Sequence, residues 1–279
     1  MRLVTARTAN GNRAGRLDGD HVVLLPFSDV GALLASGDGW RDSAGVDGPR
    51  HALDDLVLAP VVPEPRKVLC LGLNYASHIR EMGREPPAHP TLFGKFARTL
   101  TGPRDPIPLP PESGEVDWEA ELALVVARPV RRATREEAID AIAGYTVAND
   151  ISMRDWQWRT TQWLQGKMFD ASTPVGPALV TPDELDGDAG APDLEIRCEV
   201  DDEVMQRSRT GDLLFDPADI VAYASTILTL EPGDLILTGT PDGVGAGREP
   251  RVFLQPGQTV RTVVEGIGEL VNRCDRDEA

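Results

Sequence analysis

The sequence is poor in lysine, cysteine, aromatic residues and long apolar runs. Only three of its 28 cationic side chains are lysine, so Lys67, Lys95 and Lys167 are candidates for specific roles. Three widely spaced cysteines fit neither a disulfide framework nor a CxxC metal site, and we expect reduced thiols. No apolar run approaches the roughly 18 residues of a membrane span. Because residues 1–10 also lack the apolar core of a signal peptide, the sequence predicts a cytoplasmic protein.

Positive charge is scarce as well, since 28 Lys and Arg face 45 Asp and Glu, for a net charge of −17. A surface this acidic repels phosphate backbones and anionic lipid, which excludes nucleic-acid and membrane partners. The length of 279 residues allows one large domain or a large and a small one. A proline-rich linker at 60–65 indicates a boundary between a small β-rich N-terminal domain, 1–62, and a larger domain, 63–279.

Hydrophobic periodicity and capping residues predict a β-rich chain with few helices. Thr134 and Glu137 form a capping-box pattern before one helix. Strands are predicted at 67–73, 116–126, 144–148, 194–200, 203–207, 234–238 and 259–265, and helices at 29–34, 134–141, 151–165 and 216–228.

Carboxylates alternate along the predicted strand 116–126. Asp117, Glu119 and Glu121 share one strand face, because side chains alternate at period two, while the other face is apolar. Either this face is a solvated edge of a sheet or it holds a cation. Asp150, at the end of the next strand, offers a further oxygen. With no His or Cys beside them, Mg²⁺ or Mn²⁺ is favoured over Zn²⁺.

Two further patterns carry candidate chemistry. His78 and Glu81 are neighbours on a helical turn, where a carboxylate orients an imidazole as a general base; the alternative is an incidental surface pair. The Gly-rich turn 238–245 (TGTPDGVG) lets backbone N–H groups approach an anion. It lacks the spacing and lysine of a phosphate-binding P-loop, so nucleotide binding is not expected.

Seven segments, in this order, resemble the fumarylacetoacetate hydrolase family over residues 60–275. They are KVLCLGLNYASHIREMG (67–83), PTLFGKF (90–96), VDWEAELALVV (116–126), GYTVANDISMRDWQ (144–157), GKMFDASTPVGPALVT (166–181), LEPGDLILTGTPDGVG (230–245) and VEGIGELVN (264–272). Met168 departs from the family pattern, which often has Ser there. The chain is identified as a member similar to acylpyruvases and 2-hydroxyhepta-2,4-diene-1,7-dioate isomerases.

The resemblance implies an α+β fold, the family's mixed β-roll, in a homodimer. It also implies a role for each matched position, whereas Asp117 lies beside the metal pair and is not assigned as a ligand. The metal ligands would be Glu119, Glu121 and Asp150, for Mg²⁺ or alternatively Mn²⁺. The catalytic residues would be His78 and Glu81, on a lid, together with Lys167. The substrate-binding residues would be Lys95, Arg154, Gln157 and Thr240.

The implied activity is metal-dependent hydrolysis of a C–C bond in a small anionic 2-oxo acid of acylpyruvate type. His78, oriented by Glu81, would activate the water. The alternatives are decarboxylation of oxaloacetate, or isomerisation or hydration of a 2-hydroxydienoate in aromatic catabolism, each through an enolate. A non-catalytic acid-binding protein on the same fold is a third hypothesis.

Overall fold

The computed structural model describes residues 1–81 and 83–277, and these form a β-rich chain with short helices. The strands are β1 (Arg2–Thr8), β2 (Gly11–Asp18), β3 (His21–Leu24), β4 (Arg50–Ala52), β5 (Val57–Leu58), β6 (Val68–Gly72), β7 (Thr91–Lys95), β8 (Leu100–Thr101), β9 (Ile107–Leu109), β10 (Val116–Asp117), β11 (Ala120–Val126), β12 (Ile142–Asn149), β13 (Ser152–Met153), β14 (Thr173–Val180), β15 (Glu195–Val200), β16 (Glu203–Arg209), β17 (Leu235–Leu237), β18 (Thr259–Val264) and β19 (Gly268–Arg276). The helices are α1 (Val30–Leu34), α2 (Trp40–Ala44), α3 (Ala76–Glu81), α4 (Arg135–Asp140), α5 (Arg154–Gln157) and α6 (Pro217–Ile227).

A large mixed sheet organises the fold. Its order is β4-β3-β2-β1-β14-β12-β11-β17-β6-β7, with β5 beside β1 and β8 beside β14. The pairs β17–β6 and β14–β8 are parallel, whereas the other pairs are antiparallel. A five-stranded sheet, β16-β15-β18-β19-β9, is separate from it, and β10 pairs with β13. The predicted β-rich, mixed-sheet fold with few helices is confirmed.

Strand β11 is buried on both faces, which places its polar residues in the interior. Leu122 and Leu124 pack in a core cluster that contains residues of the five-stranded sheet, such as Ile196. Ala123 and Val125 point to the opposite face and pack in a second cluster. Glu121 shares that second face through the two-residue period, so its carboxylate is buried. The alternative of a solvated edge is therefore wrong.

The predicted strand 116–126 is interrupted. It forms β10 and β11, separated by Trp118 and Glu119. Side chains take over the backbone hydrogen bonds at the break: the Trp118 N–H donates to its neighbour Asp117 (2.8 Å), and the Glu119 N–H donates to Asn149 Oδ1 (2.9 Å). Because polar side chains satisfy these N–H groups, the chain leaves the ladder without burying unpaired donors.

The predicted helix 151–165 is wrong over most of its length. Ser152 and Met153 form β13, which pairs with β10, and only the four residues of α5 are α-helical before the chain turns. The chain then folds back onto α5 and approaches it closely at Gly166, where a Cβ would come within 2.5 Å of the Gln157 nitrogen. Tertiary pairing therefore overrides the local helical pattern.

Helices α1, α4 and α6 begin at the predicted positions. Asp29 accepts a hydrogen bond from the Ala32 N–H at α1, and Asp216 caps α6 in the same way. At α4, Thr134 and Glu137 form both bonds of the capping box. The hairpin β15–β16 turns at Asp201 and Asp202, both with positive φ.

We expect Thr134→Ala to lower the free energy of unfolding by about 1 kcal/mol, because the α4 capping bond is lost. Chemical denaturation measures this change. Since α4 lies outside the cavity described below, catalytic activity should stay unchanged. A loss well below 0.5 kcal/mol, the lower end of the usual range for such caps, would contradict the expectation.

The N-terminal strands join the large sheet. Arg2 and Leu3 of β1 pair with Val180 and Leu179 of β14, and β2, β3 and β4 extend the sheet beyond β1. The domain boundary near residue 62 stays a prediction. The cysteines are free and buried. Among residues 1–81 and 83–277, we find no helix of the length and apolar character that a membrane crossing requires.

Candidate active site

Three carboxylates converge where β11 begins and β12 ends. Ala120 pairs with Asn149 across these antiparallel strands. Glu119, just before β11, and Asp150, just after β12, therefore lie at the same end of the pair. Glu121 lies one residue further into β11. One oxygen from each of Glu119, Glu121 and Asp150 lies within 4.8 Å of the others, and all three residues are buried. The structure thus brings together the predicted metal ligands.

Three cations from separate parts of the chain surround these carboxylates. Lys95 Nζ, at the end of β7, lies 2.5 Å from Asp150 Oδ1. Lys167 Nζ lies 2.6 Å from Glu119 and 2.9 Å from Asp150. Arg154 Nη1, on α5, lies 2.6 Å from Glu119 Oε1. Two of the three lysines therefore belong to this cluster.

The pKa values of the two glutamates are shifted in opposite directions. Burial alone would raise the pKa of Glu119, but Lys167 and Arg154 lower it to about 2. Burial raises the pKa of Glu121 well above its ordinary value, and the charges of Asp150 and Glu119 raise it further. Burial opposes the charge on Lys167, yet Asp150 and Glu119 raise the pKa of its ammonium. Without a cation, burial and the neighbouring negative charges therefore disfavour ionisation of Glu121.

This donor set fits a hard divalent cation. Carboxylate oxygens are the ligands of Mg²⁺, Mn²⁺ and Ca²⁺, whereas Zn²⁺ favours nitrogen and sulfur. Buried like charges at Glu121 and Asp150 repel unless a proton or a cation lies between them. A divalent cation bound by Glu119, Glu121 and Asp150 would remove that repulsion.

His78 and Glu81 form a pair on the short helix α3. His78 Nδ1 lies 2.9 Å from Glu81 Oε2, and the Gly243 N–H donates to the other glutamate oxygen, Oε1, at 2.9 Å. Both side chains are largely buried, at 10% and 16% exposure, so the alternative of an incidental surface pair is wrong. Gly247 allows this approach, since a Cβ there would come within 2.5 Å of the Glu81 carboxyl carbon.

Backbone N–H groups of the Gly-rich turn bind carboxylates of the protein itself. The Gly239 N–H donates to Glu121 (2.6 Å) and the Gly245 N–H to Asp117 (2.7 Å). Gly243 binds Glu81, as described above. The backbone N–H groups of this turn therefore do bind anions, as predicted, but the anions are side chains of α3 and of the carboxylate region.

One cavity collects most of the predicted site residues. Of the predicted set, the lining includes His78, Glu119, Lys167, Arg154, Gln157 and Thr240. Asp150 contacts the lining through Lys167, and Glu81 contacts it through His78. Lys95, predicted to bind substrate, has a fully buried side chain paired with Asp150. The role predicted for each of these residues stays a prediction.

Sequence reasoning missed several residues of this region. Gln206, on β16, donates to the Thr240 hydroxyl (2.8 Å) and accepts from the Ala120 N–H (2.9 Å), so it links the Gly-rich turn to β11. It is the buried residue of an otherwise accessible strand, a signal that only the structure provides. Arg84, Phe93, Trp158 and Trp163 also line the cavity.

Comparisons with known proteins agree with this fold. The family described as fumarylacetoacetate (FAA) hydrolase C-terminal matches residues 67–275. The oxaloacetate tautomerase fahd2 of Xenopus laevis, described as mitochondrial, is 43% identical over 233 residues, which is 82% of this chain and 72% of that protein.

Solved structures are similar over the whole chain. Fumarylacetoacetate hydrolase from Exiguobacterium antarcticum has a TM-score of 0.88 at 33% identity, covering 99% of this chain and all of that one. The 2-hydroxyhepta-2,4-diene-1,7-dioate isomerase of Mycobacterium marinum has a TM-score of 0.80 at 34% identity, covering both chains fully. The chain belongs to the fumarylacetoacetate hydrolase family of enzymes.

Proposed function

We propose that this enzyme interconverts the enol and keto forms of a small 2-oxo dicarboxylic acid, of which oxaloacetate is the example. The observation that carries this proposal is the cavity in which His78, oriented by Glu81, lies with Lys167 and Arg154. The Xenopus relative is named for the same reaction. The name of this relative favours enolate chemistry on oxaloacetate, close to the alternatives given above, over the acylpyruvate hydrolysis that the family resemblance first implies.

Tautomerisation moves one proton to carbon and breaks no C–C bond. Because Glu81 engages Nδ1, Nε2 is the ring nitrogen of His78 left for substrate. As an imidazolium it donates a proton to C3 of the enol, while the hydroxyl proton leaves to water. In the reverse direction the neutral ring removes the C3 proton. Water restores the proton of His78 after each turnover.

The cations that line the cavity can bind and stabilise an anionic enolate. The pKa of Lys167 is raised by its carboxylate neighbours despite burial, so this side chain stays an ammonium and donates hydrogen bonds. Arg154 lines the cavity, and its Nη2 is buried without a hydrogen-bond partner, which makes it a receptor for a substrate carboxylate. A divalent cation held by Glu119, Glu121 and Asp150 would supply a Lewis acid for the 2-oxo acid group.

Hydrolysis of an acylpyruvate is the second candidate. The observation in its favour is the same His78–Glu81 pair, because a carboxylate-oriented imidazole can also activate water. Decarboxylation of oxaloacetate would need only the enolate-stabilising cations. The three reactions share one binding mode and differ in which bond changes.

A substrate panel distinguishes these reactions. With oxaloacetate and Mg²⁺, we expect faster loss of enol absorbance and faster exchange of the C3 protons in D₂O than in the uncatalysed reaction. Release of CO₂ should not accelerate, and acetylpyruvate should yield no acetate. Acetate plus pyruvate from acetylpyruvate would instead establish the hydrolase, and CO₂ plus pyruvate from oxaloacetate the decarboxylase.

Four features of the wider context are proposals. The homodimer, tested by light scattering, and a role in aromatic catabolism rest on the family resemblance. Mg²⁺ is the proposed cofactor, with Mn²⁺ as the alternative. For the cellular location, the sequence predicts the cytoplasm, whereas the Xenopus relative is described as mitochondrial.

A further inference from the structure

Asp117 is a buried carboxylate that the proposed reaction does not use. Its side chain is fully shielded from solvent. Four donors bind its two oxygens: Oδ1 accepts from the Trp118 and Gly245 N–H groups, and Oδ2 accepts from the Ala246 N–H and from Arg154 Nε. These distances span 2.7–3.0 Å. Such a saturated carboxylate has no oxygen left for substrate, so it acts on its neighbours.

One branch of this network reaches a cavity-lining cation. Asp117 holds Nε of Arg154, which directs Nη1 to Glu119 and to Gln157 Oε1 (2.8 Å). The remaining nitrogen, Nη2, has no hydrogen-bond partner. Because the guanidinium is planar and rigid, fixing Nε and Nη1 also fixes the direction of Nη2. Asp117 therefore determines how Arg154 faces the cavity.

The other branch reaches the lid pair. Asp117 holds the N–H groups of Gly245 and Ala246, in the loop that also contains Gly243 and Gly247. The Gly243 N–H binds Glu81, whose other oxygen binds His78. The loop is thus fixed on one side by Asp117 and on the other side holds α3 in place.

We propose that Asp117 is a positioning residue that couples the two sides of the active site. It orients Arg154 on the substrate-binding side, and through the loop 243–247 it holds Glu81 and His78 in their observed positions. Removing its charge loosens both sides together, although it contacts neither His78 nor Glu81.

Asp117→Asn tests this coupling with little change of volume. Asparagine offers one acceptor oxygen, so in either orientation two of the four donors lose their acceptor. We expect hydrogen exchange at the amides of 76–81 and of Gly243 to become faster by about tenfold or more, as expected for local opening. We also expect kcat/KM for oxaloacetate tautomerisation to fall by about tenfold or more, with KM raised because Arg154 is misdirected.

The matched control is Asp234→Asn. Asp234 is equally buried and accepts hydrogen bonds from the Lys67 N–H and ammonium and from the Glu231 N–H. This variant should lose stability, yet lid exchange and kinetics should stay within about twofold of wild type, since distant sites act independently. If Asp117→Asn also loses stability without faster exchange in 76–81, the proposal is overturned.

Gly247→Ala is the second variant, and it keeps the proposal testable if Asp117→Asn does not fold. Its new Cβ would collide with Glu81 while leaving Asp117 intact. Exchange in 76–81 should then increase, while the amides of Gly245 and Ala246 stay protected. Unchanged exchange in 76–81 would show that the loop does not hold the lid. The kinetic measurement rests on the proposed tautomerase activity, whereas the exchange measurements do not, so failure of either can be distinguished.

Discussion

Glu121→Gln should stabilise the metal-free protein and abolish its stabilisation by divalent cations. In the metal-free state, burial raises the pKa of Glu121 well above the ordinary 4.5, and the charges of Asp150 and Glu119 raise it further. An uncharged glutamine of the same shape removes that repulsion. The same substitution removes one of three carboxylate ligands, so binding of Mg²⁺ or Mn²⁺ no longer adds to the stability of the folded state.

The pH dependence gives the sign of this effect. With a raised pKa, the folded protein binds more protons than the unfolded chain, so stability falls as pH rises from 4.5 through the raised pKa of Glu121. Metal-free wild type should show this decline in its unfolding midpoint, and Glu121→Gln should show a smaller one. For the same reason, metal binding to wild type should release protons.

Thermal unfolding with chelator and with Mg²⁺ or Mn²⁺ measures both effects, and Glu199→Gln is the control. Glu199 is a buried glutamate on β15, paired with Arg197 and Arg261 and not part of the metal group. That variant should lose stability and keep its full response to metal. A metal response in Glu121→Gln equal to wild type would show that the cation is held elsewhere.

The identity of the carboxylate cluster could be predicted from the sequence because it depends on local rules. Glu119 directly precedes β11 and Glu121 is its second residue, and Asp150 directly follows β12, the strand that pairs with β11. The caps of α1, α4 and α6 are local in the same sense, since each side chain binds an N–H three residues away. These caps join residues that are close in sequence, so they form irrespective of the tertiary arrangement.

Burial and charge pairing could not be predicted, since they depend on which distant segment covers each face. The face of β11 that carries Glu121 packs in a cluster with Leu33 and Leu34 of α1, which are far away in sequence. Lys95 and Lys167 reach Asp150 from positions 55 residues before it and 17 residues after it. Tertiary contact also explains the broken strand at Trp118.

The strongest kinetic effect should come from His78→Ala. General acid–base catalysis is worth about 10²–10⁴ in rate, so kcat should fall by that factor. KM should change little, because the proton is transferred in the transition state, whereas Arg154 and Lys167 still bind the substrate anion. Steady-state measurement of enol loss with oxaloacetate gives both constants, and added imidazole should restore part of kcat.

Two companion variants separate proton transfer from lid structure. Glu81→Gln keeps a hydrogen bond to His78 but removes the negative charge that stabilises the imidazolium, so its loss should be smaller than that of His78→Ala. His51→Ala, at an exposed position on β4, should leave kcat unchanged. Full activity in His78→Ala would refute proton transfer by the lid. It would leave the cations around Asp150 as the source of catalysis, which is the chemistry of a decarboxylase that needs enolate stabilisation alone.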